Sequence, residues 1–138
     1  MGRILAIDYG RKRVGVAVTD PMKMIANGLT TVHPKDLFEF LQDYFNKETV
    51  DILVVGYPKQ MNNQPSEALH YINPFLKKFR KQFPDISVEL EDERFTSKMA
   101  QQTMIDGGMK KSDRQNKGNI DRISATIILQ SYLQHQNF

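Results

Sequence analysis

Residues 3–19 read RILAIDYGRKRVGVAVT, and the folding of this stretch decides the architecture. Residues 3–8 form a short apolar run that ends in Asp8, the length and composition of a strand. Tyr9-Gly10 opens a tight turn, and Arg13 to Thr19 alternates apolar with small residues as a second strand. Two strands separated by so short a connection can pair only antiparallel. The chain therefore opens with a hairpin whose tip carries Arg11, Lys12 and Arg13.

Beyond the hairpin the pattern lengthens. Ile25 to Val32 fits a third, weaker strand. His33-Pro34-Lys35-Asp36 introduces an amphipathic helix with Leu37, Phe38, Leu41, Tyr44 and Phe45 at helical spacing. Residues 51–56, DILVVG, are nearly all apolar, the mark of a strand buried on both faces. Residues 65–83 are helical in pattern, but Pro74 predicts a kink or break. Ile86 to Leu90 is another strand, Thr96 to Ile105 a helix ended by Gly107-Gly108, and Lys110 to Gly118 a polar, basic loop. Asn119 to Gln134 closes as a helix burying Ile120, Ile123, Ile127, Ile128 and Tyr132. The order βββ-α-β-α-β-α-α predicts an α/β fold: a five-stranded mixed sheet, order 3-2-1-4-5, flanked by helices.

At 138 residues with 40% hydrophobic content, the expectation is a single domain over 1–138 with a real core. The absence of Cys excludes a disulfide framework and a thiolate metal site. The opening MGRILAIDYG reads as a strand rather than a signal peptide, and no apolar run reaches the ~20 residues of a membrane span. A cytoplasmic protein without membrane contact is expected. The formal charge of +3 is modest, but its distribution is not uniform: Arg11, Lys12 and Arg13 cluster, as do Lys110, Lys111, Arg114, Lys117 and Arg122. Basic clusters near candidate acids suit a polyanion.

Those acids come from three separated segments. Asp8 ends the first strand, and ligands of α/β sheets gather at the carboxyl ends of strands. By itself, an Asp ahead of Gly10 is an ordinary turn residue. In VELEDERFTS, residues 88–97, Glu91, Asp92 and Glu93 follow directly on a strand. Strand alternation sends Asp92 and Glu93 to opposite faces, so only one need reach a site. Arg94 can pair with a carboxylate or hold a phosphate. Asp121 opens the last helix on the line of Ala125, Ile128 and Tyr132, though an acid in a helix's first turn is also ordinary. Together the acids could converge to bind hard divalent cations through oxygen, Mg²⁺ or Mn²⁺ rather than Zn²⁺. Such a set suits two-metal phosphodiester hydrolysis. His33, His70 and His135 are isolated and lack metal-ligand spacing.

Four ordered motifs carry a resemblance that runs nearly end to end: D-x-G-x-x-x-x-G-V-A-V at 8–18, V-V-G-x-P at 54–58, D-E-R-x-T-S at 92–97, and the late Asp121 before an Ala/Ile-rich helix. The chain resembles the YqgF family, nucleases of ribonuclease-H-like fold related to the RuvC resolvases. The resemblance implies Asp8, Asp92/Glu93 and Asp121 as catalytic acids, with Asp8, Glu93 and Asp121 as metal ligands. It implies maturation of the 5′ end of pre-16S rRNA, within ribosomal precursor particles, or resolution of Holliday junctions in branched DNA. Arg11, Lys12, Arg13, Arg94, Lys110, Lys111, Arg114 and Lys117 would contact the nucleic acid, with the protein a monomer or homodimer. This chain departs from the family pattern at Asn62-Asn63, where a Gly-containing turn is usual, and at Asp121-Arg122-Ile123-Ser124.

Two other classes compete. The glycine-rich hairpin also resembles the first phosphate loop of actin-like ATP-binding proteins, but those need two lobes, and the chain has no second copy of the hairpin. A catalytically inactive nucleic-acid-binding module is the other, and the intact acids speak against it.

Overall fold

The opening hairpin forms as its pattern requires. The computed structural model describes residues 2–10, 12–57, 69–92 and 117–136, with side chains throughout except at 92, 117–123, 135 and 136. Strand β1 (Arg3–Tyr9) pairs antiparallel with β2 (Val14–Thr19), Asp8 facing Gly15, and β2 pairs antiparallel with β3 (Ala26–Val32). A single 3₁₀ turn at Pro34–Asp36 leads into α1 (Leu37–Lys47). The chain then crosses to β4 (Val50–Tyr57), parallel to β1, and through α2 (Leu69–Gln82) to β5 (Ser87–Asp92), parallel to β4. The last described element is α3 (Lys117–Gln136). Sheet order is β3-β2-β1-β4-β5, as expected.

Alternation along the strands builds two cores. Leu5 and Ile7 of β1, Val14 and Val16 of β2, and Leu53 and Val55 of β4 meet α1 and α2, where Phe75, Leu76 and Phe79 fill the layer. On the other face Ile4, Ala6, Ala17 and Val54 receive Ala125, Ile128, Leu129 and Tyr132 of α3. The small side chains of Ala6 and Ala17 let the last helix sit close to the sheet. Both faces of β1 and β4 are thus covered, which explains why their sequences are continuously apolar.

Two expectations need qualification. α2 is not broken at Pro74: the helix runs through it from Leu69 to Gln82. Pro74 lacks only the N–H that would reach His70, in the first described turn, and burial of Ile72, Phe75, Leu76 and Phe79 offsets that loss. The final helix extends two residues further at each end than expected. The helix expected over 96–105 and the loop over 110–116 lie outside the described residues. Among the described residues, no helix is long and apolar enough to cross a membrane.

At the amino ends of the central strands, polar contacts close the sheet. Thr19, fully buried, accepts the Ile4 N–H through Oγ1 at 2.9 Å, and its carbonyl accepts from Arg3 at 3.0 Å. Asp20 ties the following turn by accepting the N–H groups of Met22, Met24 and Ile25. Lys23, at φ 59°, donates to Asp51 at 2.9 Å, and Asp51 also accepts the Gly2 N–H.

Candidate functional site at the carboxyl ends of the central strands

The opposite end of the sheet brings acids together. Asp8 is the penultimate residue of β1 and shares the face of Ile4 and Ala6, which is the α3 face. It is half-buried. Just beyond it, the Gly10 N–H donates to the Arg13 carbonyl at 2.9 Å, closing the hairpin. A Cβ on Gly10 would stand 2.5 Å from that carbonyl oxygen, so only glycine permits this closure.

Register extends the rung across the sheet. Ile7 pairs with Val55, so Asp8 comes level with Gly56, and Gly56 pairs with Glu91. Asp8, Gly56 and Glu91 therefore lie on adjacent strands at one level, with a side-chain-free position in the middle. Strands are spaced ~4.8 Å apart, so the two acids are separated by roughly 10 Å along the sheet. The next rung pairs Tyr57 with Asp92, and Tyr57 packs against the α1/α2 core.

Glu91 is only 8% exposed, and its carboxylate accepts a 2.7 Å hydrogen bond from the Ser131 hydroxyl of α3. The Tyr132 hydroxyl beside it is pushed above its ordinary pKa by burial and then by the charges of Glu89 and Glu91. In the sequence Glu91 stands in an acidic run that by itself assigns it no role. Its period-two relation to Glu89 and its rung with Gly56 were the signals available.

Among the other candidates, Lys12 is exposed and Arg13 half-buried, both on the hairpin that follows Asp8. Asp121 lies in the helical backbone of α3, four residues before Ala125, which is buried against Ala6 and Ala17. Lys117 begins the same helix, and Asp92 ends β5. Glu93, Arg94, Arg11, Lys110, Lys111 and Arg114 lie outside the described residues. Among the described residues no three carboxylate or imidazole groups form a cluster, Asp8 being the one expected metal ligand whose side chain is described.

Comparison with known proteins identifies the family and the fold. The family model described as "RuvX: Holliday junction resolvase" matches residues 2–135. A protein of Phocaeicola vulgatus is 60% identical over 138 residues, covering 100% of this chain and 99% of its own. One of Flavobacterium johnsoniae is 59% identical over 138 residues, covering both chains completely (100% and 100%). Both are named, provisionally, as pre-16S rRNA nucleases. Among solved structures, a Thermus thermophilus RuvC superposes with a TM-score of 0.58 at 10% identity, covering 98% of this chain and 96% of that one. The same protein in complex with a Holliday junction substrate gives 0.57 at 14% identity, over 99% and 96%. The sheet and its helices are thus of ribonuclease-H-like fold.

Proposed function

The chain belongs to the RuvX Holliday-junction-resolvase family, a family of nucleic-acid hydrolases, and on that premise we propose that it is a metal-dependent nuclease maturing the 5′ end of pre-16S rRNA. The observation that carries the reading is the rung of Asp8, Gly56 and Glu91 on the α3 face at the carboxyl ends of three parallel-running strands. The full-length match to relatives named for pre-16S rRNA favours RNA over branched DNA as substrate.

The catalytic acids in this reading are Asp8, Glu93 and Asp121. Positions 89 and 91 share the Asp8 face, and of the two acids that follow in the sequence Glu93 has the same odd-numbered parity as Glu89 and Glu91. Asp121 lies in the backbone of α3 about one helical turn before Ala125, which is buried against the sheet. An all-carboxylate donor set, with no Cys in the chain, suits Mg²⁺ or Mn²⁺. Bound there, two such ions supply an activated water and stabilise the leaving oxygen. The chain's own part is to fix the carboxylates on rigid strand and helix ends, with Glu91 anchored by Ser131 behind them. Lys12, Arg13 and Lys117, with Arg11, Arg94, Lys110, Lys111 and Arg114 beyond the described residues, hold the phosphates. The protein works in the cytoplasm as one domain over 1–138, on ribosomal precursor particles. A single copy suffices for end trimming, whereas resolving a four-way junction needs paired sites.

The test is cleavage of a structured RNA carrying a 5′ extension, beside a four-way DNA junction, with Mg²⁺, Mn²⁺ or chelator, for wild type and Asp8→Asn. Metal-dependent RNA trimming that Asp8→Asn abolishes is expected. Preferential junction cleavage would move the assignment to resolvase, and cutting that survives exhaustive chelation would end the metal mechanism.

A further inference from the structure

Helix α2 carries a charge pattern that neither the strand-end acids nor the hairpin accounts for. Its sequence, LHYINPFLKKFRKQ, contains Lys77, Lys78, Arg80 and Lys81 and no acid. Leu69, Ile72, Phe75, Leu76 and Phe79 form its buried face. His70, Asn73, Lys77, Arg80 and Lys81 consequently occupy the opposite face, all of them exposed.

Ordinary helix electrostatics explains only part of this. Arg80 and Lys81 lie in the last turn, where cations are favoured by the helix dipole. Lys77 and Lys78 lie before it, and the first described turn lacks the acids that the same dipole would favour. Like charges at i and i+4, as in Lys77 and Lys81, repel and disfavour an isolated helix. Lys78 sits 4.3 Å above the Phe38 ring. Among the described residues, no ion pair engages Lys77, Arg80 or Lys81.

α2 covers the sheet face opposite the one that bears Asp8, but its first described turns reach the same carboxyl ends of the strands. Tyr71 stacks on Tyr9 with ring centroids 5.8 Å apart, and the Tyr57 hydroxyl donates to the Asn73 side-chain oxygen at 2.9 Å. The start of α2 is thereby fixed to the ends of β1 and β4, one residue past Asp8 and Gly56. From Asn73 the helix carries Lys77 and Lys81 about 6 and 12 Å further along its axis.

We infer that the outward face of α2 is a second nucleic-acid contact surface, holding the phosphodiester backbone of the substrate as it leaves the strand-end site. The inference rests on the nuclease reading above, and it assigns Lys77, Arg80 and Lys81 to phosphate contacts that are indifferent to sequence. The face offers no Leu, Phe or Trp beside its cations, as insertion into an anionic membrane would require.

The experiment is binding of the structured 5′-extended RNA by the intact protein between 50 and 300 mM salt, comparing wild type with K77Q/R80Q/K81Q. Lys35→Gln, an exposed cation outside α2, is the net-charge control for each of the single variants K77Q, R80Q and K81Q. If the three residues contact phosphates, the logarithmic salt slope falls by about 2 to 3 and affinity drops by roughly a hundredfold or more near 0.1 M salt. The melting temperature should stay within a degree or two, because exposed unpaired side chains are removed. An affinity and slope equal to wild type, or single variants each equalled by the Lys35→Gln control, overturns the inference. So does loss of binding to vesicles containing phosphatidylglycerol with RNA binding intact, which would make α2 a lipid contact. Wild type that binds no nucleic acid at any salt overturns the nuclease reading and this inference together, an outcome distinct from an inert α2 on an RNA-binding protein.

Discussion

The hydroxyl of Ser131 on α3 donates a 2.7 Å hydrogen bond to the carboxylate of Glu91 on β5, across a seam where Glu91 is almost wholly buried. The bond ties the last helix to the end of the edge strand, and the sequence separation of 40 residues means nothing local enforces it. A buried carboxylate held this way is costly to strip of its donor, because water cannot easily replace the hydroxyl.

Ser131→Ala should therefore destabilise the protein by about 1.5–3 kcal/mol, the range for a hydrogen bond to a charged group. Ser131→Thr, which keeps the hydroxyl, should lose less. Urea melts of the three proteins check this, and an alanine variant as stable as wild type would mean Glu91 is satisfied without Ser131.

Gly10→Ala should cost about 1–3 kcal/mol, since the added methyl would meet the Arg13 carbonyl oxygen at 2.5 Å and the hairpin must open to admit it. Opening the turn also moves the end of β1, one residue after Asp8. Cleavage should fall by more than the folded fraction explains, measured at a temperature where both proteins remain folded.

Acid sensitivity should have a definite source at the other end of the sheet. The Asp20 carboxyl is held below the usual carboxylate range by the Ile25 N–H, aided by those of Met24 and Met22. Asp51 is lowered by its hydrogen bond from Lys23, aided by Gly2. A pKa depressed on folding gives stability that is present above the unfolded value and lost as pH falls through the folded one. Stability should thus decline from about pH 4 downward. In Asp20→Ala that decline should be shallower, although the variant starts less stable. Thermal melts between pH 3 and 6 distinguish the slopes, and parallel curves would remove Asp20 from the account.

Much of this architecture was legible in the residues. The alternation in RVGVAVT, the unbroken DILVVG and the short turn at Gly10 specify which strands are hairpin and which are central, and the order 3-2-1-4-5 follows from them. Of the kink or break expected at Pro74, the break does not occur, because tertiary packing of the apolar face holds the helix through the proline. The pairing of Ser131 with Glu91 was invisible, since it depends on the angle at which α3 crosses the sheet. The α2 cations, Lys77, Lys78, Arg80 and Lys81, sit between the buried residues of an amphipathic pattern, where a run of charge reads as an ordinary solvated face. Of the site, Asp8 could be read from its strand end, whereas the rung it shares with Gly56 and Glu91 needed the parallel register of β4 with both neighbours.

Asp8→Asn should respond to metal in a way a turn residue would not. Without metal, the variant should be at least as stable as wild type, because one charge is removed from a group of mutually repelling carboxylates. Saturating Mg²⁺ or Mn²⁺ should stabilise wild type, by about 2.7 kcal/mol at one hundred times the dissociation constant, and stabilise the variant far less. Equal thermal shifts in the two proteins would remove Asp8 from the ligand set.

The last prediction separates two neighbouring acids. β5 still pairs with β4 at Asp92, whose rung partner Tyr57 packs into the α1/α2 core, while Glu91 one residue earlier shares its rung with Gly56 on the Asp8 side. Side chains on a strand alternate, so a catalytic acid contributed by this segment should come from position 93 and not 92. Asp92→Asn should retain most cleavage and most of the metal-induced stabilisation. Glu93→Gln should reduce cleavage by several orders of magnitude and lose the metal response, while still binding RNA through the basic residues, because an amide keeps the shape of the side chain but not its charge. The two variants preserve size and hydrogen-bonding capacity equally, so a difference between them reports position rather than disruption. Cleavage assays run beside melts with and without Mn²⁺ decide it. Should Asp92→Asn be the inactive one, the alternation must break immediately after Glu91, turning Asp92 to the α3 face and leaving Glu93 outside the site.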